Sequence, residues 1–259
     1  MDSKAKGFIV SLAKKEGNHL LRFFKQNSSS RELRNIRSSV KDISTKYDKI
    51  IDKNIIKAIK SEFPNHNILT EESGFLNKHS DFTLIVDSLD GTVNFACGNP
   101  LFALCIALLK GKRIEAGVIY CPAINELYFA EKGKGAFLNG KRISVSETGE
   151  LGSSYLYLCE GGEKNRNITA ELLNKVYPEV LDVRKLGSAG IEAAWVALGR
   201  GDAYITTSIE PWDVAPGVLL VKEAGGKVSD FNGNEWKPER SNMIFSNKKL
   251  HSKLVEIVK

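Results

Sequence analysis

The chain has 259 residues, 42% of them hydrophobic and 26% charged, with a formal net charge of +6. That is the composition of an ordinary globular protein, large enough for one big domain or two packed halves. The sequence excludes a transmembrane helix, because its longest apolar run, residues 101–109, is too short to cross a bilayer. That run predicts a buried strand instead. The basic residues are dispersed, which argues against a nucleic-acid-binding surface.

The N-terminus has no apolar signal core, so we expect a cytoplasmic protein. The cysteines form no CxxC pair and have no histidine at zinc spacing, so we interpret them as reduced structural thiols. They are Cys97, Cys105, Cys121 and Cys159.

Two amphipathic helices are predicted first, over residues 3–24 and from residue 48 to just before Pro64, because apolar residues recur on one face of each. The polar stretch between them, residues 31–46, is predicted to be a mobile loop. Strands follow over residues 68–70, 83–86 and 102–129, the last interrupted by turns at Gly111-Lys112 and Cys121-Pro122, and Asn139-Gly140 indicates a hairpin. This half is predicted to be two helices on a largely antiparallel sheet.

The C-terminal half alternates strands and helices, which indicates an α/β unit. We therefore predict an α+β half over residues 1–145 and an α/β half over residues 146–259, with no flexible linker between them. The predicted elements are strands at 155–158, around 183, at 204–206, around 228 and at 243–245, and helices at 168–176, 188–198, 213–224 and after Asn247.

The segment Asp87-Ser88-Leu89-Asp90-Gly91-Thr92 follows an apolar strand and holds two carboxylates three residues apart. Two carboxylates at a strand exit can converge on one Mg²⁺, which prefers oxygen ligands, and the Leu89 carbonyl could add another. Gly91 lets the backbone approach a ligand closely, and Thr92 lies near a predicted helix N-terminus, where N–H groups favour phosphate. By itself the segment is equally consistent with a turn in which Asp90 caps a helix.

Two further acidic segments lie at the ends of predicted elements. Glu71-Glu72-Ser73-Gly74 follows a short strand and could, alone, be a solvated loop. In Trp212-Asp213-Val214-Ala215-Pro216-Gly217, Pro216 is tolerated in a first helical turn, so Asp213 could be a plain cap. Together the three segments supply four acids at element ends, the arrangement from which metal sites with several oxygen ligands are assembled.

These three segments, with Val93-Asn94-Phe95 extending the central one, resemble the inositol monophosphatase family of Mg²⁺-dependent, lithium-sensitive phosphatases, which includes fructose-1,6-bisphosphatases. The order and spacing match from Asp48 to Ala224-Gly225-Gly226. The resemblance implies a layered αβαβα sandwich, a homodimer, and hydrolysis of a small-molecule phosphate ester by metal-activated water. It also implies about two to three Mg²⁺ ions per site, with Mn²⁺ as a substitute.

The resemblance also implies roles for individual residues. Thr92 and Asp48 would orient the attacking water, and Glu71 would accept or relay its proton. The implied metal ligands are Glu71, Asp87, Asp90, Asp213 and the Leu89 carbonyl. The implied substrate contacts are Asp90, Gly91, Thr92, Gly187, Ser188, Ala189 and Asp213.

The substrate stays open at this point, between inositol 1-phosphate and fructose 1,6-bisphosphate. Thr206 stands where animal members of the family carry a glutamate that contacts inositol hydroxyls, and Glu210 lies closer to the motif. Arg184, with Lys185, could meet a second phosphate or be a solvated basic pair. Ser88 replaces the usual proline, which affects stiffness more than ligands.

Other functions remain open as well. Relatives that hydrolyse 3′-phosphoadenosine 5′-phosphate usually carry Lys-Glu/Asp-Phe after Asp-Gly-Thr, whereas this chain has Val93-Asn94-Phe95, which favours a polyol phosphate. Histidinol phosphate is a further candidate. A non-catalytic binding protein on the same fold is the alternative of a different class, and the presence of all four carboxylates favours the enzyme. We expect neither nucleic acid nor a membrane as a partner.

Overall fold

The computed structural model describes residues 3–28, 40–159, 165–239 and 242–259. Within these residues the first β-sheet is built from the segment between residues 67 and 142. Its strands are β1 Asn67–Thr70, β2 Gly74–Leu76, β3 Phe82–Asp90, β4 Ala103–Lys110, β5 Arg113–Cys121, β6 Glu126–Glu131, β7 Gly135–Leu138 and β8 Lys141–Arg142. They lie in the order β2-β1-β3-β4-β5-β6-β7-β8. The pair β1–β3 is parallel and the other neighbours are antiparallel, so the prediction of a largely antiparallel sheet is confirmed.

The second sheet is built from five strands of the described residues: β9 Tyr155–Cys159, β10 Asp182–Arg184, β11 Ala203–Thr206, β12 Lys227–Ser229 and β13 Met243–Ser246. They lie in the order β10-β9-β11-β13-β12. Strand β9 pairs in parallel with both β10 and β11, while β13 runs antiparallel to its neighbours.

The helices of the described residues form layers around these sheets. They are α1 Ser3–Ser28, α2 Val40–Glu62, α3 Thr92–Ala96, α4 Arg166–Val176, α5 Ala189–Ala197, α6 Pro211–Glu223 and α7 His251–Val258. One hydrophobic cluster joins α1 and α2 to the first sheet, a second joins α5 and α6 to both sheets, and a third joins α4 and α7 to the second sheet. The resulting order of layers is αβαβα. None of these helices is both long and apolar enough to cross a membrane.

Strand β4 shows how the sequence produces this layering. Successive side chains of a strand point to opposite faces of the sheet. Leu104, Ile106 and Leu108 belong to the cluster with α1 and α2, whereas Cys105 and Ala107 belong to the cluster with α5 and α6. An uninterrupted apolar run is therefore required, because both faces of β4 are covered. The predicted buried strand is confirmed.

Some predicted boundaries are wrong. Helix α2 begins at Val40 rather than near residue 48, so the loop predicted over residues 31–46 is helical from Val40 onward, and its first part, residues 31–39, lies outside the described residues. Helix α6 begins at Pro211, so Pro216 lies inside the helix and not in its first turn.

The other end signals are closer to the structure. Asn247 accepts a hydrogen bond from the Leu250 N–H at 3.0 Å, just before α7 begins. The hairpin at Asn139-Gly140 is confirmed, since both residues have positive φ and join β7 to β8. The boundary predicted near residue 145 falls between the two sheets, and the division into two halves stays a prediction.

Candidate active site

The two carboxylates of the central motif lie at the end of β3. In a regular strand, residues three apart point to opposite faces. The pairing of β3 with β4 shifts register between Asp87 and Asp90, and such an irregularity re-aims side chains. Both residues are buried, and the charge of Asp90 raises the pKa of Asp87, so the two carboxyl groups occupy one site. The Asp87 carboxylate accepts the Leu89 N–H at 2.9 Å, which fixes it locally.

Gly91 makes the turn from β3 into α3. Its φ is +83°, in the left-handed region that glycine adopts readily. A Cβ at this position would lie 2.8 Å from the Leu101 carbonyl oxygen and 3.2 Å from the Ser188 Cβ. Glycine is therefore required for both conformation and space, and the turn places Thr92 at the first position of α3.

The Asp90 carboxylate is held by the start of α5. The Ala189 N–H donates to Oδ1 at 2.9 Å, the Gly190 N–H donates to Oδ2 at 2.8 Å, and the Ser188 hydroxyl donates to Oδ2 as well. A Cβ at Gly190 would lie 2.8 Å from Asp90 Oδ2, so only glycine permits this approach. The predicted Gly187 loop thus contacts a predicted metal ligand directly, across 98 to 100 residues of sequence.

Glu71 and Asp213 come from two other elements. Glu71 lies in the turn between β1 and β2, which is closed by a hydrogen bond from the Ser73 N–H to the Thr70 hydroxyl at 3.0 Å. Asp213 is in the first turn of α6, where its carboxylate accepts the Glu210 N–H at 3.1 Å as half of a capping box. Glu210 rather than Asp213 is the helix cap, which leaves part of the Asp213 carboxylate for other partners.

The electrostatics join these four carboxyl groups into one cluster. Burial raises the pKa of Asp87 and of Asp213 well above the usual value, and the charge of Asp90 raises both further. Burial raises the pKa of Asp90 to about 6, although its hydrogen bonds from the α5 start oppose the shift. Desolvation raises the pKa of Glu71, and the charges of Glu72 and Asp90 add to it. Four acids that destabilise one another's charge form a site that a cation would stabilise.

Asp48 lies beside this cluster, on α2. Burial raises its pKa to about 8, with smaller contributions from Glu72, Glu71 and Asp52, and its Oδ1 has no hydrogen-bond partner among the described residues. The Thr92 hydroxyl donates to the Leu89 carbonyl at 2.9 Å. Thr92 and Asp48, the two residues expected to orient a water together, therefore form no hydrogen bond with each other in this structure.

The residues expected to choose the substrate are spread over the second sheet and its connections. Arg184, on β10, is exposed and forms an ion pair with Asp182. Thr206 is fully buried, and its hydroxyl donates to the Ser208 carbonyl at 2.9 Å. Glu210 caps α6 next to the cluster, and its charge contributes to the raised pKa of Glu71. Of these, Glu210 is the one that the electrostatics connect to the cluster.

The donor set fits a hard divalent cation. The available groups are carboxylate and carbonyl oxygens, which Mg²⁺ prefers, and the buried, unpartnered Oδ1 of Asp48 adds an oxygen with unused acceptor capacity. Among the described residues no three acidic, His or Cys side chains already stand at ligand spacing around one point. Asp87, Asp90 and Asp213 each accept backbone N–H groups, which hold the three carboxylates in place.

Sequence reasoning missed two buried acids near the cluster. Asp52 accepts the Ser73 hydroxyl from the Glu71 turn, and its signal was its position one helical turn after Asp48. Glu192 accepts the Leu186 N–H at 2.8 Å, and its signal was a lone acid in the otherwise apolar helix α5.

The chain is similar to known proteins along nearly its whole length. The family model described as "Inositol monophosphatase family" matches residues 2–259. A curated relative from Thermotoga maritima, named fructose-1,6-bisphosphatase/inositol-1-monophosphatase, is 37% identical over 255 residues, or 97% of this chain and 94% of the relative. A relative from Pasteurella multocida, named Nus factor SuhB, is 37% identical over 227 residues, or 86% of this chain and 84% of the relative.

Solved structures have the same fold. The structure titled "Thermotoga maritima IMPase TM1415" matches with a TM-score of 0.87 and 35% sequence identity, covering 98% of this chain and 96% of that chain. The predicted layered sandwich and the family resemblance drawn from the motifs are both confirmed.

Proposed function

The chain belongs to the inositol monophosphatase family, and from this premise we propose that it is a Mg²⁺-dependent phosphatase of sugar or polyol phosphate monoesters. The observation that carries the proposal is the cluster of Glu71, Asp87, Asp90 and Asp213, four acids that come from three distant segments. A cluster that served only to cap helices would not need four carboxyl groups that raise one another's pKa.

These four carboxylates, with the Leu89 carbonyl, would hold the metal. When bound, Mg²⁺ supplies Lewis-acid chemistry, since it neutralises phosphate charge and makes water a better nucleophile near neutral pH. The number of ions, about two to three per site, and their replacement by Mn²⁺ belong to the same proposal.

The chain's own residues bind and orient the substrate. The backbone of Gly91 and Thr92 would receive the phosphate at the start of α3. Ser188, Ala189 and Gly190 fix the Asp90 carboxylate. We propose that the Gly187 turn and Asp213 also contact the substrate, because the turn leads into the donors that hold Asp90, and Asp213 interacts electrostatically with Asp90.

Proton transfer is assigned to Asp48 and Glu71. A carboxyl group with a pKa of about 8 is mostly protonated at neutral pH and loses its proton at slightly higher pH, which suits Asp48 to exchange a proton with water. The Thr92 hydroxyl donates to the Leu89 carbonyl, and its oxygen would accept a hydrogen bond from the same water. No cysteine takes part in this mechanism.

Inositol 1-phosphate and fructose 1,6-bisphosphate are the proposed substrates, since the Thermotoga maritima relative is named for both activities. Glu210 would accept substrate hydroxyls, a role supported by its electrostatic interaction with Glu71 of the cluster, and Arg184 would meet a second phosphate. We propose further that the protein is a cytoplasmic homodimer.

A second candidate function follows from the relatives that are named Nus factor SuhB. Such a role would be carried by a protein surface and would not require the carboxylates. It therefore predicts that the function of the chain in its cell survives loss of Asp213, which the phosphatase proposal does not allow.

The direct test is a substrate panel at saturating Mg²⁺, measuring released phosphate. We expect release from inositol 1-phosphate or fructose 1,6-bisphosphate, and not from 3′-phosphoadenosine 5′-phosphate or histidinol phosphate. Asp213→Asn should remove the activity. Asp202→Asn is the matched control, because Asp202 is a buried acid whose partners, Ser146 and Tyr155, lie outside the cluster. Hydrolysis of none of the four esters would refute the proposal.

A further inference from the structure

Helix α5 contains one acid in a fully buried position. Glu192 is 0% exposed, and every other residue of the helix is apolar or glycine. Its Oε1 accepts the Leu186 N–H at 2.8 Å and the Gly187 N–H at 3.3 Å. Its Oε2 has no partner among the described residues. Burying a carboxyl group costs free energy, and the two hydrogen bonds to the Leu186 and Gly187 N–H groups offset part of that cost.

The turn that Glu192 holds leads directly to the acid cluster. From this turn the chain continues into Ser188, Ala189 and Gly190, whose three donors fix the Asp90 carboxylate. Gly187 has a φ of +78°, a conformation that the hydrogen bonds of the turn help to maintain.

Asn94 holds the same turn from the other side. Its Nδ2 donates to the Leu186 carbonyl at 2.8 Å and to the Leu101 carbonyl at 2.7 Å. Leu186 is therefore fixed at its N–H by Glu192 and at its carbonyl by Asn94. With both groups held, the turn has little freedom to move relative to Asp90.

We propose that Glu192 is a positioning residue for the candidate active site, which holds the Leu186–Gly187 turn so that the start of α5 presents the Asp90 carboxylate to the metal. The proposal rests on the proposed function, because it concerns the metal that the cluster would bind. Glu192 touches neither the metal nor the substrate in this account and acts through Ser188, Ala189 and Gly190.

The acceptor atom, and not the negative charge, is what the turn requires. Burial raises the pKa of Glu192 to about 8, so the carboxyl group is mostly protonated at neutral pH. The proton then belongs on Oε2, because Oε1 already accepts two N–H groups. Glutamine has the same length and a carbonyl acceptor, so Glu192→Gln should still hold the turn. Methionine fills similar space without an oxygen acceptor, so Glu192→Met should not hold it.

The test measures Mn²⁺ affinity, using the electron paramagnetic resonance signal of free Mn²⁺ to count bound ions. Residues that orient a metal ligand typically change affinity by about 10–100-fold when they are mutated, so we expect that loss for Glu192→Met. Glu192→Gln should bind Mn²⁺ like the wild type. The control is Asp202→Asn, which alters a buried acid with partners outside the site and should also bind normally.

A second arm tests the route through Asp90. Ser188→Ala removes one donor to Asp90. Both substitutions act on the same carboxylate, so the double variant Ser188→Ala/Glu192→Met should lose less Mn²⁺ binding free energy than the two single variants lose in sum. Fully additive losses would contradict the route.

The proposal is overturned if Glu192→Met binds Mn²⁺ as the wild type does, or if Glu192→Gln is as impaired as Glu192→Met. If Glu192→Met does not fold, Glu192→Asp takes its place, since the shorter side chain withdraws the acceptor, and an unchanged affinity would again overturn the proposal. A wild-type protein that binds Mn²⁺ but hydrolyses no ester refutes the proposed function alone, and the comparison of affinities still decides the role of Glu192. A wild-type protein that binds no Mn²⁺ overturns both.

Discussion

At the scale of single residues, the site depends on close backbone approaches that only glycine permits. Gly91 follows Asp90 in the chain and precedes α3, and Gly190, at the start of α5, donates its N–H to the Asp90 carboxylate. A Cβ added at Gly91 would lie 2.8 Å from the Leu101 carbonyl oxygen, and a Cβ added at Gly190 would lie 2.8 Å from Asp90 Oδ2. A side chain at either position would therefore push neighbouring backbone away from the Asp90 site.

Gly91→Ala should lower both stability and activity. The substitution combines a positive φ with a clash at the Leu101 carbonyl, and we expect a loss of about 1–3 kcal/mol in the free energy of unfolding. Urea unfolding and phosphate release measure the two effects. Gly98→Ala is the matched control, because Gly98 has a φ of +75° with nothing within 4 Å of its added Cβ. If the two variants lose activity equally, the close approach at Gly91 has no importance.

His251 should make the protein less stable in acid. It is buried between the Ser246 hydroxyl, 2.7 Å from Nδ1, and the Ser229 hydroxyl, 2.9 Å from Nε2, and burial lowers its pKa from 6.5 to about 4. The unfolded chain binds a proton below pH 6.5 that the folded chain binds only near pH 4. Between pH 7 and pH 5 this difference costs about 2 kcal/mol of stability.

The measurement for His251 is urea unfolding of the wild type and of His251→Gln at pH 7 and pH 5. The variant lacks the titrating group, so the pH dependence should be smaller by that amount. Equal pH dependence in the two proteins would show that His251 titrates normally.

The positions of the four acids could be predicted from the sequence, because each follows or begins a recognisable element. Each segment alone was equally consistent with a turn, a solvated loop or a helix cap, so the prediction of one site depended on their combination and on the family resemblance. The contacts of Thr92 and Glu192 could not be predicted. They depend on which acceptor lies nearest after folding, and sequence spacing contains no information about that.

At the scale of elements, helix ends differ most from the prediction. The prediction places the start of helix α6 too late because it assigns Pro216 to the first turn, a position that Pro211 occupies after the Glu210 cap. Helix α2 begins at Val40, and its first residues include Ser44 and Thr45, residue types that favour helix interiors weakly. Propensity and apolar spacing therefore do not locate these two helix starts.

Packing of α6 against β5 sets the position of Asp213. Gly117, on β5, lies under Pro216, and an added Cβ would be 2.8 Å from the Pro216 Cα and 3.1 Å from its carbonyl oxygen. Gly117→Ala should therefore displace α6 and weaken Mn²⁺ binding as well as stability, by about 1–3 kcal/mol for an overpacked core. Thermal unfolding and Mn²⁺ titration measure both.

The control for this element is Gly149→Ala, where the nearest atom to the added Cβ is the flexible Lys249 Cδ at 3.6 Å. It should behave like the wild type. Unchanged Mn²⁺ affinity in a destabilised Gly117→Ala would show that α6 does not position Asp213 through this contact.

At the scale of the whole molecule, the acid cluster makes stability depend on pH and on the metal. The pKa values of Asp48, Asp87, Asp90 and Asp213 are raised in the folded protein, so the folded chain holds protons that the unfolded chain has lost. Without metal, the stability these groups contribute is present below about pH 4 and is lost as pH rises towards about 8.

Mg²⁺ should reverse this trend, because carboxylates must lose their protons to bind it. We expect Mg²⁺ to raise the melting temperature more at pH 8 than at pH 5. At a concentration of 100 times the dissociation constant the gain is about 2.7 kcal/mol. Differential scanning calorimetry with and without Mg²⁺ at the two pH values measures it. An equal increase at both would mean that the ion binds elsewhere.

The layering of the fold explains how distant segments build one site. The cluster takes residues from the β1–β2 turn, from the end of β3 and from α6. Asp48, on α2, lies beside it, and the start of α5 holds Asp90 in place. Because α5 and α6 pack between the two sheets, both sheets fix the geometry of the acids. The central claim is therefore that this cluster is a metal-dependent catalytic site and not a set of helix caps.

The most direct test is Asp90→Asn, compared with the wild type in phosphate release from inositol 1-phosphate and fructose 1,6-bisphosphate during a Mg²⁺ titration. The Ala189 and Gly190 N–H groups donate to different oxygens of Asp90, and asparagine keeps an acceptor for one of them. Circular dichroism checks that the variant is folded. The account predicts Mg²⁺-dependent release by the wild type and almost none by the variant at any Mg²⁺ concentration. A folded Asp90→Asn protein with near-normal turnover would contradict it.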